Sequence, residues 1–79
     1  MVTIYWREGC VFCTRLRWTL RMHGLDAEWI NIHHSEEAAA YVRSVADGNE
    51  TVPTVVINGR GVVNPSPAEV VAAIRADVG

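Results

Sequence analysis

Seventy-nine residues, 49% of them hydrophobic and 20% charged, are enough for one small apolar core and exclude an intrinsically disordered chain. A formal net charge of −2 without a basic run excludes the cationic face that nucleic acid or an anionic membrane surface requires, and no apolar stretch has the length of a membrane span. The two cysteines stand only three positions apart, so no disulfide framework staples the fold and the core must hold it alone.

Val2-Thr3-Ile4-Tyr5-Trp6 alternates as a strand does, and Gly9 breaks it just before Cys10. From Val11 to His23 the apolar spacing turns helical, with Cys13, Leu16 and Leu20 on one stripe, Trp18 and Met22 on a second, and Gly24 as the stop. Ala27 to Ile32 predicts a second strand, with Glu28, Ile30 and Ile32 on one face and Trp29 on the other. Ser35 caps a second helix, Glu36 and Glu37 favour its first turn, and Ala38, Tyr41, Val42 and Val45 make its apolar stripe before Asp47-Gly48-Asn49 ends it.

Thr54-Val55-Val56-Ile57 is a continuous apolar run suited to a strand buried on both faces. Asn58-Gly59 is a strong hairpin turn, and Gly61-Val62-Val63 is the return strand. Ser66-Pro67-Ala68-Glu69 opens the last helix with a capping box and a proline at the first helical position, and Val70, Val71, Ile74 and Val78 form its buried face. The order β-α-β-α-β-β-α predicts an α/β fold in which a parallel crossover is followed by an antiparallel hairpin. A mixed four-stranded sheet flanked by helices on both faces buries all of these stripes, in a single domain over residues 1–79.

The chemistry lies in Cys10-Val11-Phe12-Cys13, at the junction of the first strand and first helix. There the first amide hydrogens have no intrahelical acceptor and the dipole adds partial positive charge, so a sulfur at Cys10 is favoured as thiolate, the form that attacks disulfides. Cys13 falls one turn later on the core side, within reach of the Cys10 sulfur and shielded from a bulky substrate. The asymmetry divides the roles: Cys10 attacks and Cys13 resolves. Two buried cysteines that merely happen to be neighbours and half a zinc site are the competing readings, and for the second the adjacent His33 and His34 lack the usual ligand spacing. Thr51-Val52-Pro53 precedes the buried strand. Pro53 there either marks the first residue of a strand or forms a cis bond that turns the Val52 backbone outward to pair with substrate, and residue pattern alone leaves both open.

Taken together, Cys10–Cys13 after a first strand, Thr51-Val52-Pro53 before the third and the short N-terminal segment resemble the glutaredoxin branch of the thioredoxin fold over essentially the whole chain. More narrowly, Ala38-Ala39-Ala40, Ser44-Val45, Gly48-Asn49, Thr51-Val52-Pro53-Thr54-Val55 and Asn64-Pro65-Ser66 are similar to the mycoredoxins and related actinobacterial proteins, in keeping with a chain whose basic residues are all arginine. The resemblance implies a thiol–disulfide oxidoreductase with Cys10 as nucleophile and Cys13 as resolving thiol. It also implies a cis Val52–Pro53 bond and a low-molecular-weight thiol held by the Val52 backbone, mycothiol before glutathione. Asn64-Pro65-Ser66 stands where many glutaredoxins bind the thiol's carboxylate through two glycines, so Asn64 and Ser66 join Thr51, Val52 and Pro53 as substrate-binding candidates. No bound cofactor is implied. The partners are thiolated or disulfide-containing proteins, with the mycothiol system or thioredoxin reductase as electron source.

The sequence departs from the family pattern at Val11 and Phe12, where Pro or Gly and then Tyr are common, and at Gly9, often an aromatic. Glu8 places a negative charge two residues from Cys10, opposing a thiolate, with Arg7 beside it as an offset. Trp6 either walls the substrate groove or packs at an edge. Trp18 and Trp29 are expected as core or partly exposed packing, and His33 and His34 as solvated loop residues. Arg15, Arg17 and Arg21 are expected on an exposed helix face, one of them available to a negatively charged substrate. An NrdH-type redoxin fed by thioredoxin reductase and serving ribonucleotide reductase is the alternative enzyme, ranked lower because its tail motif is missing after Val63. A metal- or iron–sulfur-binding scaffold is the alternative of another class. The chain is expected to be a cytoplasmic monomer, without a secretion signal at its start.

Overall fold

Alternating side chains set four strands, β1 (Thr3–Trp6), β2 (Glu28–Asn31), β3 (Thr54–Ile57) and β4 (Arg60–Val63), into one sheet of order β2-β1-β3-β4. This is a computed structural model, and it describes residues 2–78, the side chain of Val78 excepted. β1 and β2 are parallel, with Ile4 opposite Trp29 and Trp6 opposite Asn31. β1–β3 and β3–β4 are antiparallel, with Val55 opposite Ile4 on one side and Val62 on the other. The helices are α1 (Val11–Met22), α2 (Glu36–Val45) and α3 (Pro67–Val78). The mixed α/β sheet and the element order expected from the residues are both present.

The strand alternation sends neighbouring side chains into two cores. Ile4 and Val55 pack with Leu16 and Leu20 of α1 and Val70, Val71 and Ile74 of α3, and Trp29 lies against this cluster. Val42, Ala38 and Ala39 of α2 gather with Ile32, Val52, Cys10 and Cys13, flanked by Tyr5, Trp6 and Ile30. Local chemistry fixes the helix starts. The Ser35 hydroxyl accepts the Ala38 amide at 3.1 Å, and Ser66 and Glu69 exchange reciprocal bonds of 3.1 and 3.2 Å as the capping box requires. Asn58 and Gly59 have φ of 51° and 76°, the doubly left-handed turn that matches strand twist in a two-residue hairpin.

Two features differ from the sequence expectation. Trp18 and Met22 do not form a second packed stripe: the sheet and α3 cover only the Cys13–Leu16–Leu20 side of α1, which leaves them exposed. His33 and His34 belong to a 3-10 turn, Ile32–His34, capped by the Asn31 side chain, which accepts the His33 amide at 2.8 Å. Of the expected α3 face, Val70, Val71 and Ile74 are buried, and the Val78 side chain lies outside the described residues.

Gly61 of β4 shows how closely α2 sits. A Cβ there would lie 2.7 Å from Val45 Cγ2, 2.8 Å from the Tyr41 hydroxyl and 3.1 Å from Val45 Cγ1. Val45 is β-branched in a helix, with one favoured rotamer, and cannot swing away. Gly61→Ala is therefore expected to lower unfolding stability by about 1–3 kcal/mol, the usual cost of overpacking, as read by urea titration. An unchanged midpoint would show that α2 yields.

Candidate active site

The site begins with a turn. Gly9, at φ +78° with open space where a Cβ would stand, lets the chain reverse out of β1 so that Cys10 becomes the N-cap of α1 in extended conformation, φ −90° and ψ 109°. An N-cap side chain accepts an otherwise orphaned helix amide. Here the acceptor is sulfur: the Cys13 N–H donates to Cys10 Sγ at 3.2 Å. The Cys10 thiol also reaches the Val52 carbonyl oxygen at 3.5 Å, and its own carbonyl accepts the Thr14 amide and hydroxyl at 3.1 and 3.2 Å. Both cysteines are free thiols. Cys10 is 9% exposed and Cys13 3%, so Cys10 is the more open of two shielded sulfurs.

Burial first, then the hydrogen bond that the Cys13 thiol gives to Cys10 and the charge of Cys10, push the Cys13 thiol up from the ordinary 9.0 to about 12. Cys13 therefore keeps its proton at neutral pH. A raised folded value means that the stabilisation is complete below the unfolded value near 9.0 and is lost as pH climbs through about 12. Tyr5, pushed up chiefly by burial, adds to the same alkaline window. The reduced protein is thus expected to lose stability across that window, and Cys13→Ser to flatten part of the slope. Equal slopes in the two proteins would remove Cys13 from the account.

The Val52–Pro53 bond is cis, and both residues are buried, with Val52 facing the cysteines. Thr51 is exposed, and its carbonyl accepts the Thr54 hydroxyl at 2.8 Å. The Asn64 amide donates to the Pro53 carbonyl at 2.7 Å, which ties the chain after β4 to the site loop while the Asn64 side chain stays exposed at φ 47°. The Ser66 hydroxyl is engaged in the capping box with Glu69. The fold thus brings Cys10, Cys13 and Val52 into direct contact, carries Pro53 with them, links Asn64 through its backbone, and uses Ser66 as a cap.

A second group of side chains borders the site. Asn31 Nδ2 donates to Glu8 Oε1 at 2.6 Å, His33 Nδ1 is 3.2 Å from Glu8 Oε2, and His34 Nε2 is 3.7 Å from Oε1. The Asn31 bond foremost, then the local backbone amide, hold the Glu8 carboxyl below the usual carboxylate range, with His33 adding to it. The histidines are exposed as expected, yet they are partners of the very charge that stands two residues before Cys10. Only the strand register reveals this: Trp6 opposite Asn31 sets the chain after each strand side by side. Trp6 carries the Arg17 guanidinium 4.9 Å from its ring centre, and the same guanidinium lies 4.3 Å from the Trp29 ring. Among the described residues no helix is long and apolar enough to cross a membrane.

Comparison with known proteins agrees with this geometry. A family model described as Glutaredoxin matches residues 2–62. The chain is 42% identical over 79 residues to mycoredoxin 1 of Corynebacterium glutamicum, covering 95% of this chain and 94% of that one. It is 39% identical over 74 residues to a Mycobacterium tuberculosis protein named a glutaredoxin, covering 92% of this chain and 88% of that one. Among solved structures it resembles the glutaredoxin-like NrdH-redoxin of Escherichia coli, with a TM-score of 0.73, 30% identity and coverage of 90% and 91%.

Proposed function

The chain belongs to the glutaredoxin family and is a thiol–disulfide oxidoreductase, and from that premise we propose that it strips a low-molecular-weight thiol, mycothiol first, from protein cysteines. Cys10 is the attacking thiolate and Cys13 the resolving thiol. The observation that carries the reading is the Cys10 sulfur acting as helix cap, with the Cys13 amide donating to it at 3.2 Å. That bond fixes the sulfur at the helix end, ahead of the more buried Cys13, where an incoming disulfide meets it first.

The chemistry proceeds by two exchanges. The Cys10 thiolate attacks the small thiol's sulfur in a mixed disulfide; a Cys10–thiol disulfide forms and the protein cysteine leaves as thiolate. A second small thiol then attacks, releasing Cys10 and carrying away the oxidised small-thiol disulfide. On the dithiol route Cys13 gives up its proton, attacks the Cys10 sulfur and expels the small thiol, leaving a Cys10–Cys13 disulfide for an external reductant. The step is self-timed. Part of what holds the Cys13 proton is the hydrogen bond and charge of Cys10, and both vanish when Cys10 enters a disulfide.

Val52, Pro53 and Thr51 offer backbone to the small thiol beside Cys10, with Asn64 and Ser66 at the opening of α3. The name of the mycoredoxin relative favours mycothiol as the small thiol; the mycothiol system as electron source and a cytoplasmic location complete the proposal. The NrdH-redoxin likeness favours a second reading, electrons from thioredoxin reductase. A side-by-side assay separates them: de-thiolation of one protein with mycothiol, with glutathione, and with thioredoxin reductase as sole electron source. Turnover with mycothiol alone is expected; turnover with thioredoxin reductase alone establishes the second reading. In the same assay Cys13→Ser is expected to keep de-thiolation and lose reduction of intramolecular protein disulfides. Loss of both would mean that Cys13 does more than resolve.

A further inference from the structure

The side of α1 turned away from the core has a pattern that the redox chemistry does not use. Val11, Arg15, Trp18 and Met22 follow one another at spacings of four, three and four residues and so share one face of the helix. Val11 is 77% exposed, Trp18 62% and Met22 81%, with Phe12 alongside at 50%. Large apolar side chains scattered singly need no explanation, but four on one short helix form a patch, and such patches mark interaction sites. Arginines lace it: Arg15 lies 5.3 Å from the Phe12 ring centre and Arg21 5.9 Å from that of Trp18. These guanidiniums rest on aromatic faces while their outer donors stay free for carboxylates.

Two observations identify the occupant. The first is charge: α1 carries Arg15 and Arg21 along this side and no acidic residue, with Arg17 turned instead to Trp6 and Trp29, in a chain whose net charge is −2, so this face is locally cationic against an acidic background. The second is position: the stripe begins at Val11, the residue after Cys10, and runs outward along the helix. Whatever lies on it is in register with the attacking sulfur.

We propose that this face of α1 docks the protein that carries the disulfide, through an acidic, apolar surface next to its reacting cysteine. The inference rests on the thiol-exchange reading of the site and adds the class of protein partner. Val11 and Trp18 supply the desolvated centre, Arg15 and Arg21 the charge-matched rim, and Met22 an adaptable edge.

The test uses two synthetic peptides, each with its cysteine in mixed disulfide with mycothiol. One continues into a segment of Leu and Glu; the other has Lys in place of every Glu. The native chain is expected to reduce the acidic peptide with a kcat/KM about tenfold higher at low salt, the gap closing near about 0.5 M salt. Arg15→Glu with Arg21→Glu should reverse the preference, and Trp18→Ala should lower kcat/KM for both peptides. All variants should retain native kcat/KM for the mixed disulfide of mycothiol with cysteamine, a substrate too small to reach the stripe. Equal rates on the two peptides, or variants equally impaired on the small compound, overturn the docking assignment. A native chain that elutes as a dimer, and as a monomer after Trp18→Glu, assigns the face to a second copy and overturns it too. No turnover of the small compound by the native chain overturns the reading of the site and the inference with it.

Discussion

Cys10→Ser is expected to abolish mixed-disulfide reduction, a loss of at least about a thousandfold on the scale of nucleophile deletions, while leaving the fold intact. A serine hydroxyl stays protonated at neutral pH and is a poor nucleophile toward sulfur, so activity should vanish. Stability should not. Cys10 is the N-cap of α1, accepting the Cys13 amide, and serine is among the best residues for that task. The variant separates the two functions of one position: the cap persists and the chemistry stops. The thermal midpoint and the rate, measured on one preparation, check both halves. A variant that loses activity because it unfolds would mean that the sulfur is held by core packing and not by the helix end.

Leu16→Ala is expected to cost about 3–5 kcal/mol, the range for emptying a well-packed leucine site. Leu16 is 1% exposed and packs with Ile4, Leu20, Val55, Val70 and Ile74 where α1, α3 and the sheet meet. A chain of this length has about 4–12 kcal/mol in all at the usual stability per residue, so one leucine is a large share of it. Its thermal midpoint should fall by more than about 12 °C. Met22→Ala, on the same helix but 81% exposed, should change stability by no more than about 0.5 kcal/mol. Similar losses from the two would mean that the exposed side of α1 is covered by something in solution.

The contrast within α1 shows what the sequence can and cannot disclose. Periodicity located the helix, and the Cys13–Leu16–Leu20 stripe was legible because burial leaves a repeating apolar signature. Trp18 and Met22 carry an equally apolar signature without being buried. Hydrophobicity alone does not distinguish a face that packs within the chain from one left open, and the difference follows from how much of the helix the sheet and α3 can cover. The Asn58–Gly59 turn and the Ser66–Glu69 box were plain because their chemistry is local, and the cysteine pair for the same reason. The grip of Asn31 and His33 on Glu8 was not, because it joins residues more than twenty positions apart that meet only through the β1–β2 register. The cis state of Val52–Pro53 was left open by the residues themselves and implied only by family likeness.

Two sulfurs one helical turn apart divide the labour, and competitive alkylation of the fully reduced native chain at pH 7.5, with peptide mass mapping before the reaction is complete, reads that division out. The adduct is expected on Cys10 with Cys13 spared, because Cys13 keeps its proton up to about pH 12 and is the more buried. An adduct that appears first on Cys13, or equally on both, would contradict it.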